Sequence, residues 1–213
     1  MRIVPLLPSS TPPGPWRRFP AAELAWDGTL HPAWIAPAGA DPAGSVPAVH
    51  ALHLPEQPWG PGLGEAALAA LRPRTGADFL VLRAGAPEGR SGLSAFLSTL
   101  EGLLEVAQGQ GLKLALRPRP GAAPALVRHL REARGEAVGF CWDAAQTPDL
   151  DCFSDRLFCA VGEPGDDFGP IQRLGYRWNL AIPAGDPESH GRLAARILLD
   201  YPPVLFPQIP EAE

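Results

Sequence analysis

Short apolar runs alternate with amphipathic stretches along most of the chain, a pattern typical of repeated βα units. The helix-length stretches carry apolar residues at i, i+3, i+4 and i+7, whereas the shorter runs are continuously apolar. Continuous runs of this length are typical of parallel strands that are covered on both faces. They predict eight strands, of which the second is weakly marked: residues 2–7, 33–36, 47–54, 78–84, 112–117, 137–143, 156–162 and 176–182.

The intervening helices are marked by their ends as well as by their periodicity. Residues 91–110 carry a leucine stripe, and Gly111 follows as a stop signal. Asp186 and Pro187 form an N-cap and a first-turn proline, which predicts a last helix that ends before Pro202. Three further helices are predicted, one that opens at Pro124 and ends at Gly135 and two weaker ones at residues 63–71 and 168–174.

Strand–helix alternation from residue 47 to residue 201 predicts right-handed βαβ units, and eight strands favour a closed (β/α)8 TIM barrel over an open sheet. Between the first three predicted strands, only the short segments 19–26 and 37–45 are available for helices, and neither has the pattern of a full helix. We therefore expect a small barrel with eroded early βα units. It should form a single domain over residues 1–213, with a proline-rich tail at 202–213.

Composition and charge exclude several classes of protein. Hydrophobic residues make up 46% of the chain, which is enough for a core, and the net charge of −5 argues against a general nucleic-acid binder. No apolar stretch has the length of a membrane span. The three cysteines form no CxxC motif, so neither a zinc knuckle nor a disulfide framework is indicated. We expect a cytoplasmic protein with no nucleic-acid or membrane partner.

Alternation of side chains along a strand predicts which residues face the barrel interior. In the fifth strand Lys113, Ala115 and Arg117 should face inward, and in the sixth Cys141 and Asp143 should. Arg117 and Asp143 would then end neighbouring strands at a similar height, within the reach of an ion pair. Two interpretations stay open: the pair holds a ligand, or it is a structural salt bridge that plugs the opening.

Other polar residues are predicted near the same ends of the strands. Arg83 ends the fourth strand and Arg119 follows the fifth, so three guanidiniums would share one rim that suits a carboxylate or a phosphate. Alternatively, they pair with nearby acids; the candidates are Asp78, Glu88 and Glu163. His53 ends the third strand, where an imidazole can act as acid, base or hydrogen-bond donor or can be purely structural. Glu163 and Asn179 are further candidates for lining the opening.

Two stretches carry a family resemblance. Residues 111–121, GLKLALRPRPG, and residues 138–146, VGFCWDAAQ, resemble two strands of the sugar-phosphate isomerase/epimerase group of xylose-isomerase-like TIM barrels, which are related to the endonuclease IV fold. The resemblance implies a TIM barrel that binds a sugar at the carboxyl ends of its strands. It also implies a divalent cation held there by Glu, Asp, His and a final Glu, which polarises the sugar while carboxylates move the proton.

Carried over residue by residue, the ligand set is incomplete. Arg117 stands where the first Glu is expected, Asp143 matches the Asp, Gln146 replaces the His, and residues 176–185 contain no acid. We therefore expect no metal and no cofactor. The resemblance implies a divergent isomerase or epimerase that binds a small sugar, sugar phosphate or sugar acid. Its catalytic residues would be Asp143 and His53, and its ligand-binding residues Arg83, Arg117, Arg119, Gln146, Glu163 and Asn179. The alternative is a non-catalytic binding or protein-interaction scaffold.

Overall fold

Eight parallel strands close into one barrel in the computed structural model, which describes residues 1–35, 46–72, 75–132, 137–145 and 156–204. Each strand pairs with the next along the chain, and the last pairs with the first. The predicted (β/α)8 barrel is therefore confirmed. The strands are β1 (Arg2–Pro8), β2 (Ala21–Ala25), β3 (Ala48–His53), β4 (Phe79–Ala84), β5 (Lys113–Pro118), β6 (Val138–Asp143), β7 (Leu157–Val161) and β8 (Asn179–Pro183).

The helices surround the barrel, and the early units are eroded as predicted. In the described residues, the units after β1 and β2 hold only the 3₁₀ turns Gly14–Trp16 and Pro32–Trp34. Across those same residues, none of the helices is both long enough and apolar enough to cross a membrane. The α-helices are α1 (Pro61–Leu71), α2 (Gly89–Gln108), α3 (Ala123–Glu132), α4 (Gly169–Arg173) and α5 (Pro187–Asp200).

The second strand lies elsewhere than predicted. The strand predicted at residues 33–36 begins where the chain makes the 3₁₀ turn Pro32–Trp34; β2 is instead the run Ala21–Ala25. This run, AAELA, consists of residues with high helix propensity, so its local preference points away from a strand. Pairing with β1 on one side and β3 on the other overrides that preference.

The strands separate two apolar layers. Large side chains such as Leu114, Leu116 and Trp142 face outward and pack beneath the helices. Smaller ones such as Ala115 and Cys141 face inward, as alternation along β5 and β6 predicts. Small inward residues leave room at the carboxyl ends of the strands for the polar side chains described below.

Aromatic rings fill the barrel at the amino ends of the strands, and we call this end the floor. Phe79 and Phe158 lie with ring centroids 5.4 Å apart, and the Lys113 ammonium lies 5.4 Å from the centre of the Phe158 ring. His50 meets Phe79 edge-on at 5.0 Å and pairs with Asp78 through Nδ1 at 3.2 Å. His50 therefore packs against the floor.

Candidate functional site

Charged side chains converge at the carboxyl ends of the strands, an end of the barrel that we call the mouth and that is marked by Arg83, Arg117 and Asp143. Arg117 is the next-to-last residue of β5, and Asp143 is the last residue of β6. Nε and Nη2 of Arg117 both lie 2.7 Å from Oδ2 of Asp143, as an ion pair between neighbouring strand ends requires. The Asp143 side chain is 3% exposed and that of Arg117 is 21% exposed. The other carboxylate oxygen, Oδ1, accepts a hydrogen bond from the backbone N–H of Ala145 at 3.2 Å.

This arrangement does not fit the divalent cation that the resemblance implies. Such a cation needs several oxygen or imidazole ligands. Both oxygens of Asp143 already accept hydrogen bonds, and the positive guanidinium of Arg117 stands beside them. Within the described ranges, no three His, Cys, Asp or Glu side chains are placed to hold a metal ion together.

A buried carboxylate–imidazole pair lies inside the barrel below the mouth. Oε2 of Glu23, on β2, is 2.6 Å from Nε2 of His53, the last residue of β3. Glu23 is 0% exposed and His53 is buried as well. Oε1 of Glu23 and Nδ1 of His53 are also buried, and neither has a hydrogen-bond partner. A hydrogen-bonded pair of this kind can hold and exchange a proton at the free ring nitrogen.

The sequence reasoning missed Glu23 because its segment was not recognised as a strand. The signal that was available is a single acid within an otherwise apolar run, AAELA. A carboxylate inside such a run is costly to bury without a partner, so it points to a buried polar contact. His53 provides that contact from the neighbouring strand.

An irregularity in the β2–β3 ladder aims His53 into the barrel. Ala22 pairs with Val49 whereas Glu23 pairs with Ala51, so His50 is an extra residue in β3. Val49 packs in the outer layer, but Ala51 lies in the inner one. The bulge thus resets the side-chain alternation, and it is the reason that the imidazole reaches Glu23.

The other two predicted arginines share one carboxylate. Arg83 Nη1 lies 3.1 Å from Oε2 of Glu56, and Arg119 forms an ion pair with Oε1 of the same side chain. The hydrogen bond from Arg83, together with the positive charge of Arg119, lowers the pKa of Glu56. Arg83 is also the register partner of Arg117, so the three guanidiniums come from two adjacent strands and the residues just beyond them. Their acid partner Glu56 was not among the acids predicted.

The remaining predicted residues have three different outcomes. Glu163 follows β7 on the mouth side, where it is exposed and its backbone N–H donates to Asp166 Oδ2 at 2.7 Å. Asn179 does not line the mouth, and that expectation is wrong. It is the first residue of β8, and the amino end of a strand lies at the floor; its carbonyl oxygen accepts a hydrogen bond from Tyr176 at 2.8 Å. Gln146 lies outside the described residues.

Two thiols lie in the interior between the floor and the mouth. Cys141 and Cys159 are register partners on β6 and β7, and both are buried. Burial raises the pKa of Cys159 well above its usual range. The hydrogen bond with the Cys141 thiol and the negative charge of Glu23 raise the pKa further. A thiol that stays protonated is a poor nucleophile, so this pair acts as interior packing.

Comparison with known proteins shows likeness in structure only. No protein-family model matches the chain, and no curated protein does. Among solved structures, a xylose isomerase domain protein from Planctomyces limnophilus aligns with a TM-score of 0.67 at 14% identity, covering 93% of this chain and 95% of its own. The chain has the xylose isomerase-like TIM-barrel fold.

Two other solved structures show how widely this xylose isomerase-like barrel is shared. The 3-keto-D-glucoside 4-epimerase from E. coli, in its apo form, aligns with a TM-score of 0.67 at 15% identity, covering 94% of this chain and 99% of its own. An AP endonuclease of family 2 from Brucella melitensis aligns with a TM-score of 0.63 at 13% identity, covering 94% and 98%. Because one fold carries such different activities, the function has to be argued from the mouth of the barrel.

Proposed function

We propose that this barrel binds a small anionic sugar derivative, a sugar phosphate or a sugar acid, at the mouth and catalyses an isomerase- or epimerase-type proton transfer without a metal ion. The observation that carries the proposal is the Glu23–His53 pair, which places an imidazole with a free Nδ1 inside the barrel. The likeness to a sugar epimerase supports the class of substrate.

The chemistry of such a reaction matches the groups present. Both reactions remove a proton from the carbon beside a carbonyl, which leaves negative charge on the carbonyl oxygen. An isomerisation then protonates the former carbonyl carbon while the hydroxyl proton moves to the carbonyl oxygen, whereas an epimerisation protonates the original carbon from its opposite face. In an isomerisation His53 would accept the proton through Nδ1 and deliver it to the neighbouring carbon, while Glu23 stabilises the imidazolium through Nε2–H; an epimerisation would take its second proton from a donor on the opposite face. Arg117, oriented by Asp143, would stabilise the developing charge on oxygen in place of a metal ion.

The charge distribution supports an anionic ligand. The whole chain carries a net charge of −5, yet at the mouth three arginines pair with only two carboxylates, Glu56 and Asp143. A local excess of positive charge raises the local concentration of small anions. Guanidinium donors also match the geometry of carboxylate and phosphate oxygens.

The test is proton exchange in D2O with chelator present throughout. A panel of aldose and ketose phosphates and sugar acids is incubated with the purified protein and EDTA, and loss of the proton beside the carbonyl is followed by 1H NMR. We expect exchange on at least one member, reduced about a hundredfold or more by His53→Asn. The matched control is His129→Asn, on α3 outside the barrel, which should retain the wild-type rate.

Two results would overturn the proposal in different ways. Loss of exchange in EDTA, with recovery on adding Mn²⁺ or Co²⁺, would contradict the metal-independent chemistry. Undiminished exchange by His53→Asn would contradict the role of the Glu23–His53 pair.

One observation favours a second candidate, a non-catalytic scaffold. Each mouth arginine is already held by a carboxylate of the protein, Arg117 by Asp143 and the other two by Glu56. If the mouth serves only to stabilise the barrel, no member of the panel should exchange its proton or bind saturably at millimolar concentration.

A further inference from the structure

We propose that the space between Arg83 and Arg119 is the binding site for the acidic group of the ligand, a carboxylate or a phosphate. The carboxylate of Glu56 would be an internal occupant of that site, which the ligand displaces. This inference rests on the proposed function, because it assigns the anionic part of the sugar derivative to a particular pair of side chains at the mouth.

The two guanidiniums hold Glu56 from two sides. Arg83 contacts Oε2 and Arg119 contacts Oε1, so one acidic group bridges two cations. Arg83 lies within β4, and Arg119 follows directly after β5; the ends of these strands pair through Ala84 and Pro118. Each guanidinium thus binds a different oxygen of one carboxylate. The same arrangement suits the oxygens of a carboxylate or phosphate on a ligand.

Contacts that do not involve Glu56 fix the backbone of both arginines. The indole N–H of Trp59 donates to the carbonyl oxygen of Arg83 at 3.2 Å, and the Trp59 ring packs against Phe96 at 4.5 Å. The backbone N–H of Arg119 donates to the Ala84 carbonyl oxygen at 2.8 Å. The arginine backbones therefore stay in place when Glu56 leaves, which is the property of a preformed site.

Glu56 itself is weakly held. It lies between β3 and α1, in a stretch without helix or strand, and its side chain is 42% exposed. Ion pairs between exposed groups contribute little to stability. A phosphate, which carries more charge than a carboxylate, can therefore replace Glu56 at small cost.

The test compares the affinity for inorganic phosphate of the wild type and of Glu56→Gln, measured by titration calorimetry at low ionic strength. Removing the internal carboxylate should raise the affinity about three- to tenfold, since one or two exposed ion pairs no longer compete. The matched control is Glu88→Gln, which makes the same charge change at an exposed carboxylate on the β4–α2 loop and should leave the affinity within about twofold. Adding Arg119→Gln to Glu56→Gln should abolish the gain.

The outcomes separate this inference from the proposed function. Equal gains in Glu56→Gln and Glu88→Gln would overturn it, because the effect would then be one of overall charge; so would an absence of saturable phosphate binding by Glu56→Gln. Phosphate binding does not require the imidazole, so adding His53→Asn to Glu56→Gln should keep the raised affinity. If the proton-exchange assay fails while the phosphate result holds, the binding site stands and the proposed reaction is wrong.

Discussion

His190 makes the stability of this protein sensitive to mild acid. It lies on α5, is 2% exposed, and has two buried ring nitrogens without hydrogen-bond partners. Its ring meets Phe19 edge-on at 5.1 Å and Trp16 at 6.1 Å. Burial, and secondarily the positive charge of Arg18, lowers its pKa from 6.5 to about 4, so the folded protein keeps this imidazole neutral.

The sign and the size of the effect follow from that shift. Below about pH 6.5 the unfolded chain binds a proton at His190 that the folded chain rejects, so the free energy of unfolding falls as the pH falls toward 4. With these two pKa values, the loss from this residue is about 2 kcal/mol at about pH 5, and about 3 kcal/mol once both states are protonated. The effect is absent at neutral pH.

The assay is urea unfolding at about pH 7.5 and about pH 5, on the wild type and on His190→Leu. Leucine is close in size and does not titrate. Between the two pH values, the free energy of unfolding of the wild type should fall by about 2 kcal/mol more than that of the variant. In a control, His129→Leu on α3, it should fall by as much as in the wild type. Equal losses by the wild type and His190→Leu would refute the reasoning, because the acid sensitivity would then come from other groups.

Two further substitutions test the interior and the mouth by urea unfolding. Gly139→Ala should lower the free energy of unfolding by about 2–3 kcal/mol, because a Cβ there would lie 2.6 Å from both the Arg156 carbonyl oxygen and the Phe158 ring. The control is Gly102→Ala on α2, where a Cβ meets open space, and it should raise the free energy of unfolding by about 0.5–1 kcal/mol. Similar effects of the two substitutions would contradict the packing argument. Arg117→Leu should cost about 2–4 kcal/mol, because it leaves the buried carboxylate of Asp143 without its guanidinium. The control Arg192→Leu breaks an exposed ion pair on α5 and should lower the free energy of unfolding by less than about 0.5 kcal/mol. A loss as large as that of Arg117→Leu would mean that burial of the ion pair does not decide its contribution to stability.

The sequence predicted those strands whose residues are buried on both faces. The bounds of β5 and β6 fall within one residue of the prediction, because their continuous apolar runs report burial directly. The sequence of β2 does not indicate a buried strand in this way, because alanine, glutamate and leucine all have high helix propensity. Its strand state is imposed by β1 and β3, which single-sequence reasoning does not see.

The same distinction applies to the candidate site. Arg117 and Asp143 were predicted together because both end adjacent parallel strands, where the regular ladder fixes their relative height. Glu23 was missed with its strand. Glu56 was missed because it lies on a loop, whose path depends on tertiary contacts such as those of Trp59 with Phe96 and Arg83. The bulge at His50 is also invisible in the sequence, although it decides which way His53 faces.

The aromatic floor closes the barrel at the amino ends of its strands. Phe79 and Phe158 pack together there, and the Lys113 ammonium lies over the Phe158 ring. A ligand bound at the mouth as we propose would therefore enter and leave at the carboxyl ends of the strands, and substitutions in the loops there should change its association and dissociation rates together.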